Sequence, residues 1–223
     1  MKRFDFYEFT GILTPGVILL YAVSLTVPAV TPFMASAQLS VGDLGLFIVL
    51  AYVAGHLVQS LGNLVEWVFW KPFGGMPSNW VIAGRTPGYL NAQQVEALPG
   101  KVTEILKWNL GKALADMTEK EWKPVVGSIY AAVLAAGRSG RVDVFNGNYG
   151  MLRGVASGLL VAAVLCIVRQ GGAQWWAAGA VAALAVLALV RMFRFGRHYA
   201  RELFIQFLLL RPESLATPKK EKD

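Results

Sequence analysis

The chain has 223 residues, of which 55% are hydrophobic and 16% are charged, and its mean hydropathy is +0.48. Soluble globular domains carry about 25% charged residues, so this composition excludes an ordinary soluble protein and leaves no length for a large independent catalytic domain. The net charge of +7 fits the concentration of Lys and Arg on the cytoplasmic side of membrane proteins, and binding of nucleic acid is the alternative explanation.

Four apolar stretches in chain order are each long enough to cross a bilayer, which requires about 20 largely apolar residues. The fold class predicted is therefore all-α, an integral membrane four-helix bundle built from two short-looped hairpins, 10–70 and 150–194. A cleaved signal peptide is the alternative for the first stretch, but its apolar run is longer than such peptides carry. The predicted spans are 10–30, 44–69, 150–168 and 173–193.

The distribution of basic residues predicts the orientation of the spans. Of the 21 Lys and Arg residues, only Arg169 lies in a short connecting loop. Because basic residues collect on the cytoplasmic side, we expect a multi-pass inner-membrane protein of bacterial type with both termini and the loop 71–149 in the cytoplasm. The N-terminal residues 1–9 alternate aromatic and charged side chains, which predicts an interfacial segment.

The loop 71–149 is expected to form a small helical cytoplasmic lobe. Capping-box patterns begin at Asn91 and Thr118, and they predict helices near 91–98, 101–116 and 119–136. The apolar face of the last helix needs an apolar partner. We expect that partner in the fourth helix, which has no breaker before Pro212 and so continues into the cytoplasm over 195–211, with 212–223 as a solvated tail.

The second predicted span carries a polar stripe, His56, Gln59, Asn63 and Glu66, at helical spacing. Polar groups that face lipid are costly, so the stripe is expected to face protein or water. Two interpretations remain open. The side chains form hydrogen bonds between helices of one bundle, or they line a water-filled cavity or an oligomeric pore.

A second polar cluster is predicted at the cytoplasmic mouth of the bundle. Arg153 lies in the first turn of the third span, at the same membrane face as Glu66, and we expect the two to pair. Asn146 and Asn148 are close in sequence and are expected to complete the cluster. The alternative is that Arg153 extends its charged end toward the interface without a protein partner.

Small residues recur every four positions at Gly150, Gly154 and Gly158. This spacing predicts close helix packing, either within the chain or between copies, and together with the alanine-rich fourth span it predicts a homo-oligomer.

Basic residues also follow one another along the fourth helix, at Arg191, Arg194, His198 and Arg201. Contact with anionic phospholipid headgroups is the preferred interpretation. The alternative is an anion site for a nucleotide, a phosphate or a nucleic acid.

Several catalytic signatures are missing from the sequence: it has no Walker A loop, no HExxH, no CxxC and no GxSxG. We therefore expect no catalytic residue, no metal and no cofactor. A membrane enzyme acting on lipids ranks last among the functions considered, because it needs a nucleophile or a metal centre.

Four stretches, FYEF, GNLVEW, FNGNYGMLRG and RHYARELF, give the chain a layout that resembles small multi-pass inner-membrane proteins of prokaryotic anti-phage defence loci. The resemblance implies a component that senses infection or that assembles and disrupts the membrane. The function expected is a non-enzymatic oligomeric sensor or effector whose basic lobe binds a signal or a soluble cytoplasmic protein. The alternative is a channel or transporter for a small solute or ion.

Overall fold

The computed structural model describes residues 6–27, 40–85, 88–170 and 175–213. Within these ranges the regular structure is entirely helical, with three short 3₁₀ helices at Lys71–Phe73, Pro77–Asn79 and Leu114–Asp116. The α-helices are α1 (Phe6–Thr26), α2 (Val41–Trp70), α3 (Ala92–Leu106), α4 (Glu119–Ala135), α5 (Gly140–Gln170) and α6 (Trp175–Leu208).

Three of the described helices, α2, α5 and α6, are long and apolar enough to cross a membrane, which indicates a membrane protein. The described apolar part of α1, Phe9–Ser24, is shorter and does not count among them. Residues 1–5 of the predicted interfacial segment and residues 214–223 of the predicted tail lie outside the described residues, whereas Phe6 already belongs to α1.

The chain divides into two compact units. Unit 1 comprises Met1–Phe69 and Gly147–Arg194, and unit 2 comprises Trp70–Asn146 and Phe195–Asp223. Unit 1 thus contains α1, nearly all of α2 and most of α5 and α6. Unit 2 contains α3, α4 and the remaining ends of α5 and α6.

In unit 1, helices α1 and α2 approach so closely that two positions have no room for a side chain. A Cβ atom on Gly16 would lie 1.7 Å from the carbonyl oxygen of Ala51, and a Cβ on Gly55 would lie 2.0 Å from that of Ile12. Backbone-to-backbone contact of this kind is how small residues bring membrane helices together. These two glycines therefore fix where α1 crosses α2.

In unit 2, the core forms between α4 and the end of α6. The Trp122 ring is completely buried and lies 6.2 Å from the ring of Phe204. Its indole N–H donates a 2.8 Å hydrogen bond to the carbonyl oxygen of Ser78. The prediction that α4 packs against the continuation of the fourth helix is confirmed. Further fully buried side chains of this core are Leu98, Val102, Ile129, Val133, Val142, Leu203 and Phe207.

Both predicted capping boxes are present and explain where two helices begin. The Asn91 side chain accepts a hydrogen bond from the Gln94 backbone N–H, and the Gln94 side chain accepts one from the Asn91 N–H. Thr118 and Glu121 form the equivalent pair of bonds at α4. Each box satisfies backbone donors that the first turn of a helix leaves free.

The helix break that was predicted near Pro99 does not occur, since α3 continues through this residue to Leu106. A proline inside a helix removes one hydrogen bond, but the buried face of α3 outweighs that loss. This face consists of Leu98, Val102 and Ile105.

The predicted helix 101–116 is wrong beyond Leu106. Lys107 adopts the left-handed conformation with φ 58°, which ends α3. Asn109 then accepts a hydrogen bond from the Gly111 backbone N–H, a side-chain turn that competes with helix. Gly111 itself has φ 68°, so the chain leaves the helical path here.

Helix α5 begins at Gly140, ten residues before its predicted start. The intervening Asn and Gly residues favour a loop in the sequence, but Val142 and Tyr149 are buried seven residues apart, on one helix face. Asp143 in the first turn also accepts a 2.8 Å hydrogen bond from the Tyr130 hydroxyl. Tertiary packing therefore overrides local preference at this end.

Candidate functional site

Glu66, Gln59 and Arg153 form a polar cluster inside unit 1, which we call the polar node. The Arg153 guanidinium pairs with the Glu66 carboxylate and donates a 3.1 Å hydrogen bond to Gln59 Oε1. The predicted pairing of Glu66 with Arg153 is confirmed. The side chains of the ion pair are only 22% and 20% exposed, so water screens this interaction weakly.

Gln59 connects the polar node to α1 and makes a second contact with α5. Its amide nitrogen donates to the carbonyl oxygens of Gly11 on α1, at 3.0 Å, and of Gly150 on α5, at 3.2 Å. The amide therefore uses its donors and its acceptor within one chain. Three helices, α1, α2 and α5, meet at this side chain, as the interpretation of hydrogen bonds inside one bundle requires.

Arg153 reaches Glu66 by crossing the face of α2 at Gly62. A Cβ atom on Gly62 would lie 3.2 Å from Arg153 Nε, so a larger residue would displace the arginine. The Nε atom is buried and has no hydrogen-bond partner. Arg153 is thus held by its terminal nitrogens.

The predicted polar stripe divides into two rows. Gln59 and Glu66 face the node, whereas His56 and Asn63 are exposed on the outer surface of unit 1. The two residues of each row are seven positions apart, and the rows are neighbours on the helix because they are offset by three positions. Sequence spacing places all four residues in one sector, but only the packed structure decides which row faces protein.

The two asparagines predicted at the cytoplasmic mouth belong to different units. Asn148 lies in unit 1 and is half-buried, and Asn146 lies in unit 2 and is exposed. Both are part of α5 and not of a loop.

The glycine ridge of α5 packs within the chain. A Cβ atom on Gly154 would lie 2.6 Å from Pro15 Cγ, and one on Gly158 would lie 3.3 Å from the Pro15 carbonyl oxygen. A Cβ on Gly150 would meet no atom within 4 Å. Two of the three glycines therefore serve contact between α5 and α1, so they are not available for packing between copies.

All four residues of the basic row on α6 are exposed, and they divide between the units. Arg191 and Arg194 lie in unit 1, and His198 and Arg201 lie in unit 2. The His198 ring stacks on the Phe145 ring with a centroid distance of 5.4 Å. This contact places Phe145, near the start of α5, beside His198 within unit 2.

Sequence reasoning missed two residues that lie beside His198, Arg141 and Phe145. The Arg141 guanidinium lies over the Phe145 ring, 5.7 Å from its centroid, and its side chain is 74% exposed. Arg141 Nε is also 3.9 Å from the buried Glu202 carboxylate. The available signal was the i, i+4 spacing of Arg141 and Phe145, which pairs side chains only if the segment is helical.

We call Arg141, Phe145, His198 and Arg201 the basic surface of unit 2. An arginine above an aromatic ring can still present N–H donors at the edge of the guanidinium. Arg201 lies one turn after His198 on the same exposed side of α6. The arrangement therefore offers fixed donors and positive charge to an anionic group.

Unit 2 also has an open cleft of about 430 Å³ beside the loop that follows α3. Its rim contains the ion pair of Lys112 with Glu121, at 2.6 Å. Hydrogen bonds from Lys112 and from Thr118 lower the pKa of Glu121 to about 2. Burial raises the pKa of Tyr89, whose hydroxyl donates to the Pro77 carbonyl oxygen. The contacts of Glu121 with Lys112 and Thr118 connect the loop to the start of α4.

In the described ranges, no group of three or more His, Cys, Asp or Glu residues is placed to hold a metal ion. Comparison with known proteins gives no relative: no protein-family model, no curated protein and no solved structure matches the chain.

Proposed function

We propose that this protein is a non-enzymatic, oligomeric inner-membrane sensor or effector that acts in antiviral defence, and that unit 2 binds an anionic signal or the acidic face of a soluble partner. The observation that carries the proposal is the basic surface. Its arginine is supported by an aromatic ring and is mostly exposed, as in sites that recognise phosphate or carboxylate groups.

The membrane arrangement proposed is a four-helix bundle in which α1 is the fourth span beside α2, α5 and α6. Its support is the close contact of α1 with α2 at Gly16 and with α5 at Gly154. Both termini and unit 2 lie in the cytoplasm in this arrangement, because most of the basic residues belong to those segments. The polar node holds the bundle together.

Expression of the full chain in a bacterial host that is then challenged with a panel of phages tests the function. We expect at least a tenfold drop in plaque number with one or more phages, together with membrane depolarisation after infection. The doubly substituted chain Arg141→Ala, Arg201→Ala is expected to lose both effects, because it removes two charges of the basic surface while Phe145 and the core of unit 2 stay intact.

The matched control is Lys120→Ala, Lys123→Ala, which removes two exposed charges from α4 and leaves the basic surface complete. This control should protect like the parent chain. Equal loss in both double variants would contradict a role of the basic surface, and the absence of protection and depolarisation with every phage would contradict the defence function.

A channel or transporter for a small solute or ion is the second candidate, and the exposed row His56 and Asn63 favours it. In an assembly of several copies these side chains would form a polar path along α2. Ion flux through proteoliposomes that contain the purified chain tests this candidate. Flux that falls at least tenfold in His56→Ala, Asn63→Ala supports it, and the absence of flux in the parent chain contradicts it.

A further inference from the structure

A polar row runs along the outer side of α2. His56, Ser60 and Asn63 are all exposed, and His56 lies halfway along this 30-residue helix. A helix of that length extends about 45 Å, whereas the hydrocarbon core of a bilayer is about 30 Å thick. The row therefore falls within the membrane-embedded part of α2, where an exposed polar group faces hydrocarbon unless something covers it.

Two of these side chains lack hydrogen bonds in the part of the chain that the structure describes. The His56 ring lies nearly perpendicular to the Tyr52 ring, with centroids 4.7 Å apart, and the Asn63 amide has no hydrogen-bond partner among the described residues. The Ser60 hydroxyl, in contrast, donates to the His56 carbonyl oxygen at 3.2 Å. An imidazole and an amide without hydrogen bonds are energetically unfavourable in lipid, where no water can satisfy them.

The polar row belongs to a longer set of exposed residues on α2, here called the α2 seam, whose spacings alternate between four and three: Val49, Val53, His56, Ser60, Asn63 and Trp67. This is the heptad spacing by which two helices pack side by side with a slight left-handed twist. The neighbouring exposed row of α2 is purely aliphatic and suits lipid; it consists of Leu50, Leu57 and Leu64, which are 48%, 62% and 59% exposed.

We propose that a second copy of this chain covers the α2 seam, so that two α2 helices pack in parallel. Copies inserted with the same orientation place each seam residue opposite its own equivalent. A neutral imidazole and a carboxamide each carry a donor and an acceptor, so His56 bonds to the second His56 and Asn63 to the second Asn63. The seam is thus complementary to itself, as a two-fold interface requires.

This proposal rests on the proposed function in one respect, that the chain is a membrane protein assembled from several copies. It makes no use of the basic surface. A buried asparagine in such a seam fixes the register of the two helices, which gives Asn63 the role of aligning the copies. Gly154 and Gly158 of α5 already pack against α1, so we place the interface on α2.

Disulfide cross-linking of the full chain in membrane vesicles tests the seam. The single native cysteine, Cys166, is first replaced by alanine, and one cysteine is then introduced at Val49, Val53 or Ser60. The matched controls carry the cysteine in the leucine row, at Leu50, Leu57 or Leu64. After oxidation we expect at least fivefold more disulfide-linked dimer from the seam positions, because a disulfide needs Cβ atoms about 4 Å apart.

Equal or weaker cross-linking at the seam than in the leucine row would overturn the proposal, and so would the absence of dimer at every position. A water-filled pore lined by α2 would give this second result, because it separates equivalent residues. Neither result depends on phage protection or on Arg141, so failure of the seam can be told apart from failure of the proposed function.

A second set of variants tests the polar layers themselves. In the Val53→Cys chain, His56→Leu with Asn63→Leu keeps the span apolar and removes both hydrogen-bonding side chains. We expect the dimer fraction to fall at least fivefold, while Leu57→Ala with Leu64→Ala leaves it unchanged. Undiminished cross-linking in the His56, Asn63 variant would show that these residues do not hold the copies together and would overturn their assigned role.

Discussion

Arg153 on α5 and Glu66 on α2 form an ion pair whose two side chains are about four-fifths buried. They are 87 residues apart in the chain, and Arg153 reaches across Gly62 to make the contact. The same guanidinium bonds to Gln59, which in turn bonds to α1 and α5. A single arginine therefore joins the contacts of three helices, and its loss affects more than one charge pair.

We expect Arg153→Met to destabilise the folded chain by about 3 kcal/mol, because it leaves the Glu66 carboxylate without its partner in a poorly hydrated site. Glu66→Gln should cost less, because the amide oxygen still accepts a hydrogen bond from Arg153. The measurement is the midpoint of unfolding of the detergent-solubilised chain against increasing denaturing detergent.

Arg194→Met is the matched control for that experiment, since it makes the same chemical change at an exposed position of α6. Its free energy of unfolding, obtained from the same titration, should lie within about 0.5 kcal/mol of that of the parent chain. Equal destabilisation by Arg153→Met and Arg194→Met would contradict the assignment of the polar node.

Gly55→Ala should disrupt the crossing of α1 and α2. The added methyl group would lie 2.0 Å from the Ile12 carbonyl oxygen, and a backbone atom does not move aside as a flexible side chain does. Overpacking of this severity costs at least about 2 kcal/mol.

Gly45→Ala provides the comparison in the same helix, because its Cβ would meet no atom within 4 Å, and it should leave stability unchanged or raise it. The readout is again the unfolding midpoint, and a Gly55→Ala chain as stable as Gly45→Ala would be evidence against the close crossing.

The helical class, the long apolar helices and the capping boxes were predictable because each depends on residues near one another in sequence. The Asn91 and Thr118 boxes need only four positions each, and the three long apolar helices need only composition. The pairing of Arg153 with Glu66 was predictable as well, because a charge in a membrane helix needs a partner.

The division of the polar stripe was not predictable from the sequence. Gln59 and His56 have similar positions on a helical wheel, and which one faces Arg153 depends on how α1 and α5 pack around α2. The early start of α5 was also not predictable, because the burial of Val142 depends on residues that are distant in the sequence. Arg141 and Phe145 were missed because their pairing depends on that unrecognised helical turn.

Trp122→Phe should loosen α4 locally. The phenyl ring preserves part of the apolar contact with Phe204, but the Ser78 carbonyl oxygen loses the indole N–H that donates to it at 2.8 Å. A buried acceptor without a partner and the smaller ring together cost about 2 kcal/mol. Hydrogen exchange of the α4 amides measures the local opening free energy. Trp108→Phe, at a residue that is 44% exposed, should leave this exchange unchanged, and equal effects of the two substitutions would contradict the packing described.

The Lys112–Glu121 contact predicts how the start of α4 responds to acid. Hydrogen bonds from Lys112 and Thr118 hold the pKa of Glu121 at about 2, below its ordinary value of 4.5. A carboxyl group whose pKa is lower in the folded state stabilises that state above its unfolded pKa, and this contribution is lost as the pH falls from about 4.5 to 2. Lys112→Gln removes the first cause of the shift, so the Glu121 pKa should rise toward 4.5. Carboxyl ¹³C shifts of the glutamate-labelled full chain, followed from pH 6 to 2, measure this change.

The control is Lys101→Gln, which removes the lysine of the 3.0 Å ion pair with Glu104 on α3 and should leave the Glu121 titration unchanged. An unshifted Glu121 titration in Lys112→Gln would show that the capping box alone lowers its pKa.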